Sequence, residues 1–467
     1  MTTANPATDR SADQGAASGE DTRSAARQIV ALGLPLLLGA LSSTASGIVD
    51  TAMMGRYGAP ELAAVSGTAA VFDVFANLVL ASVIGYQILA PRFAGRQDPP
   101  GLRRALAVSA RYCGAFALAL TVLCMAGGRW LTGLVAGGDP RLPAIGAQYL
   151  TARAPTLLLL VPFTLLTASF NAYKKTRYAA VAGVVVNVVN LLLDVLLIHG
   201  VGPFPRWGAF GNGLATSLAW LAGVAVLLVL ARRSDLRGKL GRPAAEGLGP
   251  VDFETSIPRL AWPALVSSGL DYASMAVFFA MMGGIGTAAL GGGRIAFEIM
   301  VFVFGVGTAF AAAQRLLIGR SLGAGEPDAA RVLWRQGQYV LLAPGLAIGL
   351  AFALLPRLTA ELFTSFAPVL DAAAEAIVLI GICVPLMAWT LGNVSLIRAL
   401  GHTRVEMYTN LAAAVVVQLP VGWLLADAAG LGLTGAFLGV LAYWAARAVG
   451  TEVAARRLTR HTPAAVA

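Results

Sequence analysis

PLLLGALSSTASGIVDTAMMGRYGAPEL at residues 35–62 returns as PALVSSGLDYASMAVFFAMMGGIGTAAL at residues 263–290. At a constant offset of 228 the pair aligns Pro35 with Pro263, Met53-Met54-Gly55 with Met281-Met282-Gly283, Gly58 with Gly286 and Leu62 with Leu290. The register holds through Arg92/Arg320, Gly95/Gly323 and Arg103/Arg331. It then slips, by one residue where Thr176-Arg177 matches Thr403-Arg404 and by four where Gly208-x-x-Gly211…Trp220 matches Gly432-x-x-Gly435…Trp444. Two copies of one apolar unit of roughly 200 residues imply two homologous helical bundles in tandem.

Composition places those bundles in a membrane. Of 467 residues 57% are hydrophobic and 12% charged, and the mean hydropathy is +0.73, far outside the soluble range. Twelve stretches can cross ~30 Å of hydrocarbon as helix, which takes about 20 residues each. They lie near 28–53, 62–90, 105–128, 143–170, 178–200, 208–231, 257–283, 289–317, 334–356, 369–396, 405–427 and 430–454. The predicted fold is an all-α integral membrane protein with twelve transmembrane helices in two six-helix bundles. Six is even, so the second copy enters from the same side and the repeat is parallel. The predicted organisation is a disordered tail at 1–26, a first lobe at 27–231, a linker at 232–256, a second lobe at 257–455 and a tail at 456–467.

Charge sets the orientation. With the N-terminus inside, the inner loops carry Arg92, Arg96, Arg103, Arg104, Lys174, Lys175, Arg177, Arg232 and Arg233 among many others, the outer loops little beyond Arg56, Arg129, Arg141, Arg206 and Arg357. Both termini and the linker are therefore expected in the cytoplasm, in a bacterial-type cytoplasmic membrane. The same loops explain the net charge of +10 without a nucleic-acid partner. Cys113, Cys124 and Cys383 sit inside apolar spans, and the three histidines lie at helix ends or in the tail, so no metal site or disulfide framework is implied. No nucleophile elbow, phosphate loop or metal-binding helix motif is present, so neither an enzyme nor a resident cofactor is expected. No pore-loop pattern or charged ring favours a passive channel.

The informative residues are acids deep in predicted spans: Asp50, Asp73, Asp194, Asp271 and Glu298. Each costs roughly 2.5–3.5 kcal/mol at the bilayer centre and needs a reason to be there. In the fifth span Asn187, Asn190 and Asp194 stand at i, i+3 and i+7, and in the first Ser43, Ser46 and Asp50 keep the same spacing. Asp50 and Asp194 both fall roughly 8–9 Å below the outer end of their helices, a depth that Thr216 shares on the returning sixth span. No basic residue lies in those segments. Desolvation and repulsion favour one proton held between the two acids. The second repeat has Phe278 opposite Asp50 and apolar residues around 414–421 opposite the Asn-x-x-x-Asp stretch. A scaffold role would be needed in both halves; a coupling site is needed once. Asp73 shares a face with Asn77, with no cation on that span. Arg294 and Glu298 read as an i, i+4 pair. Asp271 either joins that pair or forms a second cation site, being the second lobe's one acid without an evident partner.

These residues resemble the multidrug and toxic compound extrusion (MATE) family over nearly the whole chain from about residue 26. The matching elements are Val49-Asp50-Thr51…Gly55-x-x-Gly58, Asn190-Leu-Leu-Leu-Asp194, Gly208-x-x-Gly211, Pro263…Asp271, Gly323-x-Gly325-Glu326 and Arg398…Gly401-x-Thr403-Arg404. The paired acids are similar to the DinF-like branch, where they form the cation-coupling site of the N-terminal lobe. The acid eight residues after Pro263 is more like the NorM branch, whose acid on the tenth helix is replaced here by Met387 or Asn393. The resemblance implies a monomeric, cation-coupled antiporter that expels organic, cationic or amphipathic compounds by alternating access from a cleft between lobes. Protons are the favoured coupling ion over sodium. A proton needs one carboxylate and a partner, whereas sodium wants about five or six oxygens. A sodium-coupled exporter and a lipid-linked precursor flippase stay open, although flippases of that superfamily line the cleft with cations and the inventory here is acidic.

Overall fold

A computed structural model describes residues 24–41, 47, 50, 53–134, 140–200, 205–234, 236, 238 and 253–460. Ser43, Ser46, most of the expected N-terminal tail and most of the 232–256 linker lie outside these residues. Among those described, twelve helices are long and apolar enough to span a membrane. They are α1 Ser24–Leu41, α2 Pro60–Gly95, α3 Pro99–Gly133, α4 Leu142–Ala172, α5 Thr176–His199, α6 Gly208–Arg233, α7 Phe253–Ile285, α8 Thr287–Gly323, α9 Pro327–Leu354, α10 Ala367–Ala399, α11 Thr403–Ala428 and α12 Gly432–Arg460. Asp50 and residues 53–57 are also helical. The protein is a multi-pass, all-helical membrane protein, and α12 runs on through the first five residues of the expected C-terminal tail.

Local chemistry sets the ends. Asp98 accepts a hydrogen bond from the Gly101 amide at 2.9 Å and caps α3, where Pro99 and Pro100 need no amide partner. Gly200 closes α5 at φ 69°, a left-handed turn that costs glycine nothing. Proline shapes the interiors. Pro155 withholds an amide and breaks α4 into Leu142–Arg153 and Pro155–Ala172, and the Ala152 carbonyl beside the break takes a hydrogen bond from Ser217 of α6 at 2.7 Å. In α11, π-helical turns at Ala412–Gln418 and Leu424–Ala428 flank the piece that begins Leu419-Pro420.

The chain forms two compact units, and these do not follow the repeat boundary. One holds residues 35–276 and 401–411, so that the first half of α7 and the start of α11 join α2–α6. Its core runs through Phe72, Val79, Tyr86, Leu102, Leu150, Leu157 and Ile257. Gly85 allows that union: a Cβ there would collide with the Ile257 carbonyl, while Phe253 packs on Phe93 at 5.6 Å and Glu254 pairs with Arg111 at 3.0 Å. The other unit, with described residues 24–34, 277–400 and 412–460, packs around Phe278, Met282, Ile377, Met387 and Phe437. In it Phe310 of α8 fills the space left by Gly33 of α1.

Candidate functional site

α5 is apolar on all sides but one. Val184, Val188 and Leu192 point outward, 46%, 51% and 59% exposed, whereas Asn190 and Asp194 point inward at 5% and 0%. A helix that gives its outer surface to lipid can carry such groups only where the bundle satisfies them. Here Asn190 Nδ2 donates to Asp194 Oδ2 at 2.9 Å. The Asp50 carboxyl interacts with that of Asp194. Two carboxylates side by side repel, and a proton shared between them removes that repulsion. α6 supplies Asn212, 2% exposed, and Thr216, whose hydroxyl donates to the Asn212 carbonyl at 3.1 Å. Asn187 lines a cavity of about 190 Å³ with Pro35, Gly39, Phe163, Thr167 and Trp220.

The acids are not without a base. Arg153, at the α4 break, interacts electrostatically with Asp73, Asp50 and Asp194. Its guanidinium lies 3.9 Å from Asp73 Oδ1, over the Phe72 ring at 4.4 Å, and donates to the Tyr149 hydroxyl. This corrects two expectations, an acid cluster free of cations and an Asp73 without one. The cation comes from α4, a helix outside the segments that carry the acids. A sequence signal was available: Tyr149-x-x-x-Arg153 followed by Pro155 puts an arginine against a kink in an otherwise apolar span. Asn77 donates to the Tyr272 hydroxyl at 2.5 Å and to the Asp73 carbonyl at 2.8 Å, so α2 meets α7 beside the arginine.

One turn from Asp50, Arg153 and Asp194 the chain carries Met54, Tyr149 and Ile198. Met54, Tyr149 and Ile198 form a cluster with Val65 and Ala209, and the first two are 0% and 1% exposed. Packed hydrocarbon and ring thus adjoin the polar residues.

The remaining candidates separate. Asp271 accepts from Asn410 of α11 at 2.9 Å, within the same unit as Asp50 and Asp194. It does not join Arg294 and Glu298, which belong to the other unit and pair with each other at 2.6 Å. Asp271 is therefore not the second lobe's partnerless acid: the first half of α7 packs with α2–α6. Two acids went unremarked in the sequence. Glu406 is buried, 4% exposed. Glu452 accepts from Trp389 and Asn393 at 3.0 Å each and from Arg456 at 2.5 Å, a network completed by Trp334 and Gln338 on Asn393. With its oxygens so engaged, Glu452 acts as a structural joint between α10 and α12.

The chain resembles known proteins. A family profile described as MatE matches residues 35–196 and 263–424, one match per repeat. Multidrug resistance protein MdtK of Pectobacterium atrosepticum is 26% identical over 416 residues, 86% of this chain and 88% of that protein. A probable multidrug resistance protein NorM of Deinococcus radiodurans is 30% identical over 438 residues, 89% and 92% of the two chains. The fold matches the crystal structure of the Vibrio cholerae MATE transporter VcmN in the bent form, with a TM-score of 0.85 at 22% identity over 94% of this chain and 98% of that one.

Proposed function

The chain belongs to the MatE family of transporters, and from that premise we propose that it is a proton-coupled antiporter exporting organic, cationic or amphipathic compounds across the cytoplasmic membrane. The observation that carries the coupling site is the interacting carboxyl pair Asp50–Asp194, with Asp194 wholly buried and held by Asn190. A buried pair sharing a proton changes its net charge by one unit when a second proton arrives or leaves. That charge is expensive in one conformation and tolerable in the other, so the proton biases the two-state equilibrium that exposes substrate alternately to either side. One pH unit across the membrane then supplies about 1.4 kcal/mol per proton. The names of MdtK and NorM, both called multidrug resistance proteins, support export of varied compounds.

Dye efflux from proteoliposomes under separately imposed pH and sodium gradients tests the reading. Export should follow the pH gradient at fixed sodium; export that follows sodium and ignores pH overturns it. Orientation has its own test. With both termini inside, cysteines placed at 12–20 or 240–250 should react with an impermeant reagent only after permeabilisation.

A further inference from the structure

Arg153 touches an exposed acid and interacts electrostatically with a buried pair. Asp73 has 56% of its side chain exposed and touches the guanidinium at 3.9 Å, while Asp194 is wholly buried and Asp50 partly so. The arginine cannot give up its charge at any working pH. Its setting is built: the Tyr149 hydroxyl accepts from it, Phe72 offers its face, and Gly213 of α6 packs directly on the backbone of Tyr149 and Arg153, where a Cβ would clash. That contact brings Asn212 level with Arg153.

Hydrogen-bond accounting points the same way. Four of the buried polar atoms left without a hydrogen-bond partner belong to this cluster, the donors Arg153 Nε and Asn212 Nδ2 and the acceptors Asp50 Oδ1 and Asp194 Oδ1. A sodium site needs acceptor oxygens free to close around the ion and no competing cation beside them, and here a guanidinium acts on the same two carboxyls. With one proton shared by the pair, three acids and one guanidinium leave a single net negative charge, which one more proton cancels.

We propose that Arg153 is a tethered counter-cation that takes, electrostatically, the place a sodium ion would occupy beside Asp50 and Asp194, and so restricts the site to protons. The proposal rests on the reading of that pair as the coupling site. A sodium ion about 6 Å from the guanidinium, at an effective dielectric of about 20, would bind about 100-fold more weakly than without it. Arg153 is here a positioning residue, since it acts through the two acids.

The test uses the full chain in proteoliposomes and in detergent, with sodium chloride against choline chloride as the probe. The unchanged protein should show no sodium-driven dye efflux and no sodium-dependent rise in melting temperature. Arg153→Gln should acquire both, with about 100-fold tighter sodium binding, and Arg153→Lys, which keeps the charge, should remain insensitive. Should Arg153→Gln fail to fold because Asp73 is left unpaired, the double variant Arg153→Gln/Asp73→Asn removes both charges and should gain the same response. A folded glutamine variant indifferent to sodium, or a lysine variant that responds as glutamine does, overturns the proposal and leaves proton coupling untouched. Proton-driven efflux that survives Asp50→Asn overturns the coupling site itself, whatever Arg153→Gln shows.

Discussion

The two repeats carry the same scaffold and opposite chemistry at one place. Met54 and its counterpart Met282 are both fully buried. Gly211 and Gly435 both let a helix come so near that a Cβ would strike backbone, Leu197 in one case and Leu425 with Ala426 in the other. Trp220 and Trp444 hold equivalent positions. Yet where the first repeat has Asp50, the second has Phe278, 1% exposed and edge-on to Phe437 at 5.4 Å. Asn212 and Thr216 give way to Ala436 and Val440, and Arg153 to Ile380 or Gly381, depending on where the offset slips. α5 is a regular α-helix throughout, whereas its counterpart α11 has π-helical turns around Pro420. Close helix packing is thus a requirement of the architecture and appears twice. The acid–amide–guanidinium cluster is not, since the second repeat packs well with aromatic and aliphatic carbon in the same volume. The difference separates what builds a bundle from what operates it.

The largest expected effect tests whether the polar half is the operating half. Asp50→Asn and Asp194→Asn should each lower proton-driven efflux about 100-fold or more, because the protonation-dependent bias disappears. The double variant should be little worse than either single one, as befits one coupled unit. Additive losses in the dye assay would break the pairing.

Next comes the reciprocal change. Phe278→Asp places an acid where the second repeat offers it Phe279, Phe297 and Phe437. It should cost about 3 kcal/mol or more, seen as a fall in melting temperature or as loss of purifiable protein. A stable Phe278→Asp protein would show that the second repeat tolerates a charge at this level.

A smaller effect should be common to both halves. Gly211→Ala and Gly435→Ala should each destabilise by about 1–3 kcal/mol, measured by thermal unfolding, since each forces two helix backbones apart. If only one of them does, the shared-scaffold half of the comparison fails. Smallest of all, Thr216→Val copies the second repeat's Val440. Its hydroxyl donates to its own helix, a bond worth about 1 kcal/mol, so efflux should fall only a few-fold. A loss as deep as that of Asp50→Asn would promote Thr216 to a direct proton or substrate contact.

Much of this was legible before any coordinates. Hydropathy marked the twelve spans because a lipid-facing helix must be apolar over about 20 residues whatever its neighbours. The i, i+3, i+7 spacing of Asn187, Asn190 and Asp194 put them on one face of α5, and helix length counted from the ends put Asp50 at the same depth. Arg153 escaped because a lone arginine in a span has no partner visible along its own helix; its acids are Asp50, Asp73 of α2 and Asp194 of α5. Asp271 was misplaced for a related reason, since the repeat assigns all of α7 to the second bundle.

Periodicity and depth are properties of one helix at a time, and the sequence by itself determined them: the count of helices, the internal duplication and the level at which polar groups enter the membrane. Rotation of one helix against another, and the point where a helix leaves one group of neighbours for the next, are decided by side-chain fit and by kinks. Only the tertiary structure could show that Gly85 admits α7 against α2, or that the break at Pro155 and the bare surface of Gly213 bring Arg153 to three acids. Packing selects such phases through contacts distant in sequence, and no spacing along a single chain segment encodes them.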